Sequence, residues 1–254
     1  MKKALVLAYG VASYGLFFVS FLYLVGFLAN AFVPVSIDTG GESSSSAMAL
    51  IVNLGLVTLF GIQHSVMARP GFKRAWTKII PQPIERSTYV LASTIVLIAM
   101  MAFWQPMPTT LWDLSGTAFE PVAWGAFAFG WAFLLFSTFV INHFDLFGLR
   151  QVFLFFRGRQ PGALKFTTRI VYRFVRHPLY LGWMIAMWAT PTMTVGHLVF
   201  ALGFTLYLFV AVPLEERDLI EEHGERYREY RRSVPAVIPR LVPAPASPAE
   251  GASA

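Results

Sequence analysis

The chain has 254 residues, 56% hydrophobic and 13% charged, about half the charged share of an ordinary soluble domain. That balance excludes a soluble globular protein and predicts an all-α polytopic membrane protein, one membrane domain with no separate soluble module. The absence of cysteine excludes disulfides, thiolate metal sites and an enzyme thiol as nucleophile.

Residues 4–32 form an uncharged run, longer than the roughly 20 needed to cross a bilayer. Lys2, Lys3 and Ala29-Asn30-Ala31 imitate a cleaved signal peptide, but a signal core is only about 7–15 residues. The run therefore reads as a retained first span. Residues 47–67 are the second span, with Gln63 and His64 in its last turn. Residues 89–103, extended by Ser87 and Thr88, are the third, and 121–141 the fourth. Pro121 suits a helix start, where a missing N–H costs little. Residues 178–212 form a hairpin broken at Thr190-Pro191-Thr192, because an internal proline removes a donor and clashes with the preceding turn. Its first arm, ending at Ala189, would be about 18 Å long, short of a roughly 30 Å core, whereas the second arm is long enough to cross. Residues 214–232 read as a separate, cytoplasmic amphipathic tail helix, interrupted at Gly224 and covering the hairpin foot.

Charge sets the topology. Two Lys or Arg lie at the N-terminus, five between spans two and three, seven before the hairpin and six after it. Loops 33–46 and 104–120 hold none, only Asp38, Glu42, Asp113 and Glu120. The positive-inside rule predicts four spans plus a hairpin returning to the same side, with both termini in the cytoplasm. The expected organisation is a four-helix membrane region over 1–142 with a cytoplasmic loop at 68–87. A linker, hairpin and tail helix over 143–240 would form the functional site, followed by a disordered tail over 241–254.

Polar residues collect at the hairpin's two feet. Arg176-His177-Pro178-Leu179-Tyr180-Leu181-Gly182 opens it and Glu215-Glu216-Arg217-Asp218-Leu219 closes it. So many polar groups at a membrane element indicate a site, and two carboxylates returning to a histidine and a tyrosine favour a bound ligand over an interfacial anchor. Tyr180 and Trp183 form an i, i+3 pair, and Gly182 permits close approach to the backbone. Arg169, Arg173 and Arg176 share one helix face by spacing, and contact either anionic headgroups or, for Arg176, a ligand carboxylate. Asn142-His143-Phe144-Asp145 with Arg150 and Gln151 forms a second cluster at the end of span four. His143 and Asp145 could position or deprotonate a small substrate, or could merely terminate the helix. His64, inside an apolar segment, needs a partner. Five histidines without metal-ligand spacing argue against a metal. Seven carboxylates in the tail helix argue against nucleic acid.

The C-terminal half resembles the isoprenylcysteine carboxyl methyltransferase and phospholipid methyltransferase superfamily. The resemblance runs through the two foot motifs, Gly224-Glu225-Arg226-Tyr227-Arg228-Glu229-Tyr230, Val234-Pro235 and Ile238-Pro239. The N-terminal half resembles the NnrU-like branch, and within it the bacterial methanethiol S-methyltransferases. Its carriers are His64-Ser65-Val66-Met67-Ala68-Arg69-Pro70, Pro83-Ile84-Glu85-Arg86-Ser87-Thr88-Tyr89-Val90 and residues 142–151.

The resemblance implies S-adenosyl-L-methionine as co-substrate and a small thiol as acceptor, methanethiol becoming dimethyl sulfide. It implies that His177, Tyr180, Gly182 and Glu216 line the donor, with Arg176 and Glu215 in support; by their own chemistry, Tyr180 or Trp183 can face the sulfonium. His143, assisted by Asp145 and Gln151, is the candidate for deprotonating the thiol. Membrane lipids would surround the protein. Alternatives are a phospholipid or isoprenylcysteine methyltransferase of the same fold, or a non-enzymatic membrane scaffold or sensor.

Overall fold

A computed structural model describes residues 2–41, 45–160 and 168–244. Among the described residues, five helices are long and apolar enough to cross a membrane: α1 (Lys2–Ala29), α2 (Ser46–Ala68), α4 (Gln82–Phe103), α5 (Glu120–Ile141) and α9 (Val195–His223). Short helices α3 (Pro70–Trp76), α6 (His143–Leu146), α7 (Leu149–Phe156) and α10 (Glu225–Ser233) lie between or after them, and α8 (Pro178–Trp188) is the hairpin's first arm. The chain is a multi-pass all-α membrane protein.

Two helices run further than the hydrophobic patterning suggests. The third span starts at Gln82, not Ser87, because Pro83 fits the first turn and Glu85 offsets the N-terminal dipole there. The separate tail helix beginning at 214 does not form. Instead α9 continues through Pro213 to His223 and stops at Gly224, whose φ of 60° admits the turn into α10. Pro213 forfeits one helical bond, but the turn beyond it is pinned on three sides. Glu215 accepts from Tyr180 at 2.6 Å, Glu216 from Arg176 at 2.7 Å, and Asp218 pairs with Arg69 at 2.8 Å.

The first arm is short, as its length predicts, and the opposite loops fold in to meet it. β1 (Thr110–Asp113) pairs antiparallel with β2 (Thr192–Thr194) at the hairpin tip, Thr110 opposite Thr194 and Asp113 opposite Thr192. Pro191, unable to donate, accepts from the Leu114 N–H at 2.9 Å, and Thr194 donates to Asp38 at 2.5 Å. The break is therefore a built turn, tied to both loops at that end.

α8 packs along α5 almost backbone to backbone. A Cβ on Gly182 would lie 2.8 Å from the Leu134 nitrogen, and one on Gly130 would lie 2.5 Å from the Ala186 nitrogen. Small residues at such crossings let membrane helices approach closely. Aromatic and methionine side chains fill the centre, with Phe27, Trp104, Phe200, Met100 and Met187 essentially inaccessible.

The last described residue is anchored at the foot. Ala244 is buried and exchanges bonds with Arg173, accepting from its guanidinium at 2.7 Å and donating to its carbonyl at 2.9 Å. The rest of the predicted tail, 245–254, lies outside the described residues.

Candidate active site

The hairpin's two feet meet. His177 takes a non-helical conformation immediately before Pro178, and the N–H groups of Arg176 and His177 donate to the carbonyls of Pro235 and Ala236 at 2.9 and 3.0 Å. That clamps the start of α8 against the segment after α10. Arg169, Arg173 and Arg176 do not share a helix face: only a four-residue 3-10 turn, Ile170–Arg173, forms there. His177 and Pro178 disfavour helix just beyond it.

The two adjacent carboxylates face different surroundings. Glu216 is 3% exposed, with one oxygen 2.7 Å from Arg176 Nε and 3.1 Å from His177 Nε2, and the other 3.1 Å from Arg231 Nε. Arg176 also donates to the carbonyls of Arg231 and Val234. Glu216 therefore sits in a fully paired buried cluster. Glu215 instead keeps 41% of its side chain exposed and accepts from Tyr180 at 2.6 Å, with His177 Nδ1 3.6 Å away. Glu215, expected in support, lines the cavity, and Glu216, expected to line the donor, does not.

Glu215 opens onto a cavity of about 1060 Å³ among the long helices. Arg176, His177, Tyr180 and Trp183 share its wall from the hairpin, and Asp145 and Gln151 reach it from the α6–α7 corner. Gly182 does not reach it; the group closely approaching its backbone is α5. His177 stacks on Tyr180 at 5.2 Å, and Trp183 stacks on Phe204 at 5.8 Å. Arg69, Lys73, Glu85, Arg86, Asp218 and Glu222 line the polar end. Burial there lowers the pKa of the Lys73 ammonium, with Arg86 adding to the effect.

The α6–α7 corner divides in the same way. Asp145 is 3% exposed, and its oxygens accept from Arg150 and Gln151, each at 2.6 Å. His143 does not line the cavity. Its Nε2 meets the Tyr14 hydroxyl and its Nδ1 the Thr138 hydroxyl, both at 2.8 Å, and its ring stacks on Phe139 at 4.3 Å. Burial lowers its pKa. With both nitrogens engaged away from the cavity, His143 ties α6 to α1 and α5 and is not placed to meet a substrate. His64 and Tyr89 do line the cavity, 2.8 Å apart. Sequence reasoning noted His64 but missed Tyr89, whose signal was its place three residues after Arg86 at the polar start of a span.

The sequence profile of the NnrU protein family matches residues 52–244. The chain belongs to the NnrU family. Similar relatives include methanethiol S-methyltransferase 2 of Bradyrhizobium diazoefficiens, 51% identical over 93% of this chain and 90% of its own length. The methanethiol S-methyltransferase of Crocosphaera subtropica is 48% identical over 94% of this chain and 93% of its own. That of Mycobacterium tuberculosis is 48% identical over 94% and 98%. No solved structure matches. Among the described residues of this NnrU protein, no group of three or more His, Asp or Glu could hold a metal ion.

Proposed function

We propose that this NnrU protein transfers a methyl group from S-adenosyl-L-methionine to methanethiol, yielding dimethyl sulfide, at the cytoplasmic face of a bacterial inner membrane. The observation that carries the reading is the cavity at the hairpin foot, in a chain similar over nearly its whole length to enzymes named for this reaction. The positive-inside charge pattern supports the sidedness and two cytoplasmic termini.

The donor's chemical groups fit the wall. Its ammonium suits Glu215, whose carboxylate is half open beside Tyr180. Its carboxylate suits the guanidinium of Arg176. Its sulfonium suits the faces of Tyr180 and Trp183. When bound, the donor supplies an electrophilic methyl on an excellent neutral leaving group. The protein's task is then alignment and supply of the thiolate, and a well-held near-attack geometry is worth several kcal/mol. Glu216 holds Arg176 and His177 in place from behind, and Gly182 fixes α8 against α5.

One observation favours a second reading, a lipid-borne acceptor. The cavity wall follows α4 from Glu85 to Leu97, about 18 Å at 1.5 Å per residue, deeper than methanethiol requires. Purified protein supplied with methyl-labelled S-adenosylmethionine separates the two. Volatile labelled dimethyl sulfide supports the proposal, and label appearing only in a lipid fraction supports the alternative.

A further inference from the structure

We propose that Tyr89 and His64 form the proton-accepting pair for the acceptor thiol, Tyr89 receiving the S–H proton and passing its own to His64 Nε2. This rests on the proposed thiol methylation. The Tyr89 hydroxyl lies 2.8 Å from His64 Nε2, and His64 Nδ1 lies 3.3 Å from the Ser93 hydroxyl. Both rings line the cavity. The neutral pair is poised with Tyr89 donating to Nε2 and the Nδ1–H donating to Ser93. The phenol oxygen then keeps lone pairs for an incoming S–H.

Three other candidates on the wall are already committed. Asp145 has both oxygens bonded to Arg150 and Gln151. His177 is held between Glu215 and Glu216. Glu215 is taken by Tyr180 and by the donor's ammonium. His223 lies eight residues beyond Glu215 on α9, about 12 Å along the helix axis.

His64 is coupled to the donor's expected position through rings. Phe60 stacks on His64 at 5.3 Å and meets Phe204 at 5.5 Å, and Phe204 stacks on Trp183. Tyr207 adds a hydroxyl bonded to Ser65 at 3.2 Å. A small apolar thiol fits among these rings. Of the charged groups near the pair, Arg86 lies 5.0 Å above the Tyr89 ring, Arg69 follows the end of the helix that carries His64, and Glu215 faces them from α9. The two arginines favour the thiolate but oppose charge on the imidazole, which the stacked Phe60 face favours.

The balance is complete without another reactant. The thiol S–H bond breaks and its proton moves through Tyr89 to His64. A new S–C bond forms to the methyl carbon as that carbon's bond to the sulfonium breaks, its electron pair staying on the departing sulfur. One positive charge leaves the donor as one appears on the imidazole, so the net charge of the cavity is constant.

His64→Gln and Tyr89→Phe in the full-length protein, in detergent or nanodiscs, test the assignment against two thiols. General-base removal predicts a loss of about 10²–10⁴ in turnover of methanethiol. Thiophenol, already ionised at neutral pH, loses only a small fraction of its rate, and S-adenosylmethionine binding by calorimetry is retained. Equal loss on both thiols in both variants assigns the pair to packing and overturns the proposal, as does an unchanged methanethiol rate. A wild-type protein that binds the donor but methylates neither thiol defeats the underlying function instead, and the proposal falls with it. Should one variant fail to fold, the other carries the comparison.

Discussion

The site has two layers that differ in what their polar groups touch. In the supporting layer, Glu216, His143 and Gly182 meet only protein: three basic side chains, two hydroxyls and the α5 backbone respectively. In the wall, Glu215, Tyr180, Tyr89 and His64 each have a protein partner and a side facing the cavity. The contrast teaches that adjacent residues of one chemistry can divide the work. Glu215 and Glu216 point to opposite surroundings because neighbouring positions on α9 project about 100° apart, as 3.6 residues per turn requires.

The sharpest way to break this division is Glu216→Ala. Removing one partner of a buried ion cluster leaves Arg176, His177 and Arg231 uncompensated, and such losses run about 3–5 kcal/mol. Thermal unfolding in detergent should show a large drop in stability, with activity lost alongside it. Glu215→Gln should do the opposite. Stability stays near wild type, while donor affinity by calorimetry falls about tenfold or more, the worth of about 1.5–3 kcal/mol for a charged hydrogen bond. Should Glu215→Gln unfold the protein and Glu216→Ala only weaken binding, the two layers have been assigned backwards.

Gly182→Val probes the helix contact. With no room for a Cβ beside Leu134, overpacking should destabilise by about 1–3 kcal/mol. The folded fraction should bind the donor at nearly normal strength, because Gly182 does not reach the cavity. The smallest effect concerns His143. Its folded pKa is lowered by burial, so its contribution is fully present above the unfolded pKa of about 6.5 and is lost as pH falls through the folded value. His143→Gln should flatten the acid limb of the stability profile, and an unchanged limb would show that the imidazole titrates freely.

Much of the architecture was legible because membrane insertion leaves a strong trace. Apolar run lengths locate the spans, and loops 33–46 and 104–120, free of Lys and Arg, make both feet of the hairpin share an end. The foot motifs follow from that topology. What was not legible depends on neighbours distant in sequence. Pro213 looked like a helix boundary, yet three long-range contacts hold α9 through it. Gly182 signalled a close approach, but nothing in its own segment said that α5 would be the group approaching. His143 carried the stronger motif context and His64 the weaker. Their roles were decided by which ring the packing of α1, α2, α4 and α5 turned towards the cavity.

The central claim is that the paired hairpin feet and the facing α2–α4 wall enclose one methyl-transfer site. Purified protein given methyl-labelled S-adenosylmethionine and methanethiol, with labelled dimethyl sulfide measured in the headspace, tests it most directly. The account predicts labelled product from wild type and its loss in Glu215→Ala protein that remains folded. Wild-type yield from that variant, or no labelled product from wild type that binds the donor, would contradict it.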